Sequence, residues 1–162
     1  MEFTVSQRFD ATPEEVVRLY GDATFFCSLP PTERLATPEL VSTEQAGDLV
    51  ILRLRHRLTA ELPSMVTRFV DPDKLTWVEV TTLDPTARRS TSELVPDDYP
   101  DLLRASAAAA FDADGSGTVR VVRGRVEVPV PIFGSKVEGA IVEGLEAYLV
   151  AEQAAAAARL AS

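Results

Sequence analysis

The sequence predicts an α+β domain: a run of antiparallel strands, two short helices near the start and one long helix at the end. Three observations carry that expectation. Residues 49–59 alternate, with Val50, Leu52, Leu54, His56 and Leu58 on one face and Arg53, Arg55 and Arg57 on the other, as in a strand with one side buried and one side wet. Thr12-Pro13-Glu14-Glu15 is a helix start. Val137, Ala140, Ile141, Gly144, Leu145, Tyr148 and Leu149 recur at helical spacing near the end. At 162 residues the chain has the length of one domain, residues 1–162, and no repeat, linker or break in composition divides it.

The elements follow in order. Phe3, Val5, Gln7 and Phe9 share one side of an opening strand. Thr12 caps the first helix, Pro13 suits its first position and Glu15 completes a capping box, while Val16, Val17, Leu19 and Tyr20 supply its apolar face up to Gly21. Asp22 caps a second short helix with Phe25 and Phe26, ended by Pro30-Pro31. After the strand at 49–59, residues 63–70 read as a short helix or a strand, with helix preferred, 75–83 as a strand rich in Thr, Val and Trp, and 88–95 as a more polar strand. The alanines from Ala107 to Ala110 favour helix by propensity. The turn cluster Asp112–Gly117 and the strand 118–130 after it instead make residues 102–111 the first arm of a hairpin. Residues 134–160 form the closing helix, about 40 Å long at roughly 1.5 Å per residue. The 13-residue strand before it reaches about 43 Å at roughly 3.3 Å per residue, so the helix can lie along the sheet for its whole length.

Composition narrows the function. The formal net charge of −9 argues against nucleic acid, whose binding rests on Lys and Arg displacing counterions, and against an anionic membrane surface. No apolar run is long enough for stable membrane insertion. The first residues lack a basic segment followed by an apolar one, as a signal peptide would have. The single cysteine, Cys27, has no partner for an internal disulfide. It reads as a small buried hydrophobe, and a reducing, cytoplasmic location is expected.

Two segments, Phe9–Val16 (FDATPEEV) and Val126–Glu138 (VEVPVPIFGSKVE), together with the element order, resemble the START-like superfamily (SRPBCC, Bet v 1-like, helix-grip). Within it they look like a domain-of-unknown-function branch found in high-GC bacteria. The resemblance spans essentially the whole chain. It implies a curved antiparallel sheet of about seven strands gripping the last helix, with a cavity between them for a lipid, sterol or polyketide-like molecule. Some relatives in the superfamily are cyclases, dehydratases or hydrolases, and others carry ligands or act as co-chaperones. No catalytic motif of those enzymes aligns here, so no catalytic residue is carried over, and no cofactor is implied.

Several residues invite a functional reading. His56, the only histidine, lies on the apolar face of its strand, which in a helix-grip fold looks toward the cavity. Its sharp reading is a pocket hydrogen-bonding group or general base. The plainer and preferred reading is a core histidine bonded to backbone, since no acidic partner is evident. With it, Phe25, Phe26, Trp77, Ile141, Leu145 and Tyr148 make the expected ligand-binding set. Arg53, Arg55 and Arg57 read as the solvated outside of the sheet, paired with acids, and Arg120, Arg123 and Arg125 are placed with them. Gly139 and Gly144 weaken the last helix, for ligand room or for close packing. Asp112–Gly117 superficially resembles a calcium loop, but its twelfth position is Arg123, where a glutamate is needed. It reads as a hairpin turn, and no metal site is expected.

The predicted function is therefore binding or transport of a hydrophobic small molecule by a monomer or weak homodimer. Two rivals stand beside it. One is a cyclase- or hydrolase-like enzyme, which needs His56 and a carboxylate to converge in the pocket. The other is an interaction module using the alanine-rich surface from Ala154 to Ala158.

Overall fold

The computed structural model describes every residue, Met1–Ser162. Seven strands form one antiparallel sheet: β1 (Glu2–Phe9), β2 (Glu39–Ala46), β3 (Leu49–Arg57), β4 (Thr76–Asp84), β5 (Arg89–Pro96), β6 (Arg104–Asp114) and β7 (Gly117–Glu127). Their order is β1-β7-β6-β5-β4-β3-β2, a meander from β2 to β7 with β1 returning to pair with β7. Helices α1 (Pro13–Tyr20) and α2 (Ala23–Cys27) follow β1, α3 (Ser64–Thr67) lies between β3 and β4, and α4 (Gly134–Leu160) closes the chain. None of the helices is long and apolar enough to cross a membrane.

Local chemistry explains most of these boundaries. Both halves of the capping box at α1 are present, with Thr12 Oγ1 accepting from the Glu15 N–H and the Glu15 carboxylate accepting from the Thr12 N–H. Asp22 caps α2 by accepting from the Thr24 N–H at 2.9 Å. The short helix expected within 63–70 is α3, and the alanine-rich segment is a strand. As β6 it is flanked by β5 and β7, and two ladders of backbone hydrogen bonds outweigh its helical propensity. The turn that follows pairs Asp114 with Gly117 and places Gly115 at φ +61°, where glycine is favoured.

Two boundaries depart from the sequence reading. That reading assigns no strand to 39–46, yet β2 is there as the edge strand. Its sequence ELVSTEQA is exposed along almost its whole length, so it lacks the alternation by which strands are recognised. β7 ends at Glu127 rather than at residue 130. Pro129 and Pro131 have no N–H for a ladder, and the Val128 N–H instead donates to Glu138 Oε1 at 2.9 Å. The 11-residue strand spans about 36 Å, still close to the length of α4.

The sheet's inner face decides where the functional site lies. A main core of Phe9, Val16, Val17, Tyr20, Phe25 and Phe111, among others, packs under α1, α2 and the C-terminal half of α4. A smaller cluster, Ala105, Val126, Val128 and Val142, packs under its N-terminal half. One inward row across the strands reads Gly124, Ala107, Ser92 and Thr81, matched pair by pair in the register. The Phe3 ring lies over Gly124, where a Cβ would collide with it. Ala107, Ser92 and Thr81 are too small to reach α4, so the layers meet incompletely above these three.

Candidate functional site

The gap above that row is a cavity of about 90 Å³. Of its 27 lining residues 19 are hydrophobic, so it is chiefly an apolar chamber, and the few polar groups in its wall set its chemistry. They fall into two groups.

The first is built on β3 and β4. His56 and Trp77 are register partners, and Glu79 follows two residues on along the same inward face. His56 is 3% exposed, with Nε2 3.0 Å from Glu79 Oε2. Its ring stacks on Trp77 at 5.8 Å between centroids and meets the edge of Tyr148, from α4, at 5.9 Å. The Glu79 side chain is 29% exposed, and since it points inward, the accessible part faces the cavity. Burial by itself raises a carboxyl's pKa, but the hydrogen bond and charge of His56, helped by Ser92 and Arg120, outweigh it and hold Glu79 below the usual range. A depressed carboxyl stabilises the fold above its unfolded-state pKa, and that stabilisation is lost as pH falls through the folded-state value. Glu79→Gln, which keeps an acceptor for His56 but removes the charge, is therefore expected to destabilise the protein at pH 6. The difference from the native sequence should shrink toward zero below pH 4, read by urea denaturation at the two pH values. A difference constant across that range would mean the charge of Glu79 plays no part.

The second group joins β1, β7, α1 and α4. Arg120 Nη1 donates to Glu152 Oε1 at 2.8 Å and to Gln7 Oε1 at 2.6 Å. The Tyr20 hydroxyl donates to Glu152 Oε1 at 2.8 Å, and Gln7 Nε2 donates to the Leu149 carbonyl at 2.7 Å. The Arg120 guanidinium also lies 4.2 Å over the Tyr20 ring. Burial opposes a charge on Arg120, yet Glu152, Tyr20 and Glu79 outweigh it and raise its pKa. Burial, with Glu152 adding to it, pushes the phenols of Tyr20 and Tyr148 well above their ordinary value, so both remain O–H groups at neutral pH. Two buried nitrogens have no hydrogen-bond partner: His56 Nδ1 and Arg120 Nε.

Of the seven residues expected to bind ligand, the structure places His56, Phe26, Trp77, Leu145 and Tyr148 in the cavity wall. Phe25 is sealed in the main core against Tyr20 and Phe26, and Ile141 packs on the smaller cluster. Arg53 and Arg55 lie on the outer face, paired with Glu44 and Asp97 as expected. Arg120 does not: it turns inward, whereas Arg123 and Arg125 face out. Its signal was its parity, since it alternates with Thr118, Val122 and Val126 rather than with the other two arginines. Glu79 shares the parity of Trp77 and Leu83, and Glu152 stands three and four residues beyond Leu149 and Tyr148 on the same helix face. Both are legible by position, although a charge at an inward position reads as a break in the apolar pattern. His56 therefore has the acidic partner that the sequence did not reveal. Gly139 and Gly144 pack beside the side chains of Met1 and Arg34, not over the cavity. Cys27 is only half-buried, and within the alanine run Ala156 is fully buried in the core.

A family model described as "Protein of unknown function (DUF2505)" matches residues 4–160. The chain belongs to the DUF2505 family. No curated protein matches its sequence. Three solved structures show what this DUF2505 chain is similar to. The Thermus thermophilus protein TTHA0849 shares 22% identity at a TM-score of 0.67, with 99% of this chain and 97% of that one covered. The ZhuI aromatase/cyclase of a Streptomyces species shares 15% at 0.69, covering 99% and 93%. A START superfamily protein from Mycobacterium smegmatis shares 14% at 0.59, covering 94% of each chain. Likeness at these identities is likeness of fold, and the DUF2505 chain has the START-like, helix-grip architecture that its sequence resembles.

Proposed function

We propose that this DUF2505 protein holds a small, mainly apolar molecule in the chamber between the sheet and α4. The observation that carries the reading is the apolar-walled void floored by Ala107, Ser92 and Thr81, beside a well-packed main core. Its volume limits the occupant. A cavity of roughly 150 Å³ takes a benzene ring, and ligand pockets commonly run to about 300–1,000 Å³, so a ring-sized molecule enters only if α4 moves outward. The C-terminal half of α4 is tied down through Leu149, Glu152 and Gln153. The N-terminal half carries both helix glycines and is held by Glu138, which accepts from the Val128 N–H, and by the Arg34 bond to the Ala140 carbonyl, so an outward shift there has to break or carry along those contacts.

Native mass spectrometry of the freshly purified protein tests the proposal: a bound species of fixed mass is expected. Trp77, the single tryptophan, stands in the wall and reports occupancy by its emission. No adduct, together with emission unmoved by toluene at its solubility limit, would end the reading.

A second reading has an observation of its own. The enzyme rival needed His56 and a carboxylate to meet in the pocket, and Glu79 is 3.0 Å from His56 there. In that reading the neutral imidazole takes a proton at Nδ1 while Glu79 steadies the imidazolium through Nε2. His56→Phe would then abolish turnover of any substrate found, even at saturating concentration, whereas weakened binding with no turnover in either protein would favour the carrier.

A further inference from the structure

Buried polar atoms in folded proteins are almost always hydrogen-bonded, so an unpartnered one asks for an explanation. Here the two that have no partner, His56 Nδ1 and Arg120 Nε, belong to residues in the wall of one cavity. Their roles are opposite. His56 Nε2 lies 3.0 Å from the Glu79 carboxylate and so carries a ring proton, and in the neutral tautomer this leaves Nδ1 a lone pair. Arg120 Nε is always an N–H and never an acceptor. The remaining wall supplies aromatic surface from Trp77, Tyr148, Tyr20 and Phe26. Charge decides the rest. Arg120 is already paired with Glu152 at 2.8 Å, and beside the neutral His56 tautomer the Glu79 carboxylate is the wall's uncompensated charge, so an anionic occupant is repelled.

We infer that the molecule held here is uncharged, built on a ring, and bears both a donor, O–H or N–H, for His56 Nδ1 and a carbonyl-type acceptor for Arg120 Nε. This rests on the reading of the cavity as a binding site and adds the chemistry of its occupant.

The test is read on the unaltered protein with probes of one ring size: toluene, phenol, benzaldehyde, 3-hydroxybenzaldehyde and benzoate, each titrated by chemical-shift changes in amide spectra at pH 8, above the ordinary imidazole range of about 6.5. A satisfied hydrogen bond is expected to improve Kd about tenfold, so that 3-hydroxybenzaldehyde binds on the order of a hundredfold tighter than toluene. Benzoate should bind more weakly than benzaldehyde. In His56→Phe, phenol should lose its advantage over toluene, read as the ratio of the two Kd values within the variant. Equal binding of toluene and 3-hydroxybenzaldehyde would overturn the inference and leave the apolar chamber standing. Tightest binding by benzoate would overturn it on charge. Binding by none of the five would remove the binding reading itself.

Discussion

Arg120→Met is expected to lower the unfolding free energy by about 3–5 kcal/mol, because it strands the Glu152 carboxylate in the interior without its cation. The side chains of Arg120 and Glu152 are 11% and 4% exposed, so solvent cannot substitute for the missing partner. The same change removes the cation over the Tyr20 ring and one donor to Gln7 Oε1. The companion prediction separates the ion pair from the packing. Arg120→Met combined with Glu152→Leu removes both charges, and a buried pair exchanged for apolar residues of similar size is often neutral or stabilising. The double variant should therefore recover most of the loss. Urea denaturation of the two single variants and the double completes the cycle. If the double variant falls as far as the sum of the singles, the pair does not act as a unit.

Phe111→Ala is expected to cost a similar amount, about 3–5 kcal/mol, with a fall in Tm of roughly 6–20 °C for a domain of this size. Phe111 is 1% exposed and lies at the junction of the two features that define the inside of this protein. Its ring meets the edge of Tyr20 at 5.5 Å and lies 5.4 Å from the Arg120 guanidinium, and it also borders the cavity. Truncation thus enlarges an existing void instead of opening a new one. The variant should bind toluene more tightly than the native protein does, and saturating toluene should return part of the lost Tm. A loss below about 1 kcal/mol, or no response to toluene, would mean that the inner layers collapse into the space and that the cavity is not held open by the sheet.

Why the sheet holds a cavity at all traces back to β6. Its alanines look like a helix by propensity and like filler by composition. In place, Ala105, Ala107 and Ala109 face inward from a central strand, with Ser90, Ser92 and Thr81 beyond them. The strand reading follows from the turn at 112–117, but its consequence appears only when the register sets the small residues of three neighbouring strands side by side. Side chains that would each leave a minor gap alone together leave room for a molecule.

The polar site shows the same division. Five of the seven expected lining residues are in the wall because strand alternation and helical spacing put them on the inner face. Phe25 and Ile141 are on inner faces too, but neighbouring side chains cover them. The charged members, Glu79, Arg120 and Glu152, occupy inward positions that sequence pattern reading assigns to apolar residues. A charge there looks like a break in the pattern until its counter-charge is known, and Arg120 and Glu152 stand 32 residues apart on different elements.

From the residues alone came the element types, the caps of α1 and α2, the hairpin at 112–117, the extent of α4 and the sense in which β3 turns His56 inward and its arginines out. These are properties of short stretches: a period of 2 or 3.6, a capping side chain, a proline without an N–H. Only the tertiary structure decided that Arg120 is inside, that His56 has Glu79 beside it, that β2 exists, and that the inner layers fail to meet over Ala107 and Ser92. Each of those depends on which distant segments become neighbours, and the free energy of a buried charge or an unfilled space is set by those neighbours and not by the chain around it.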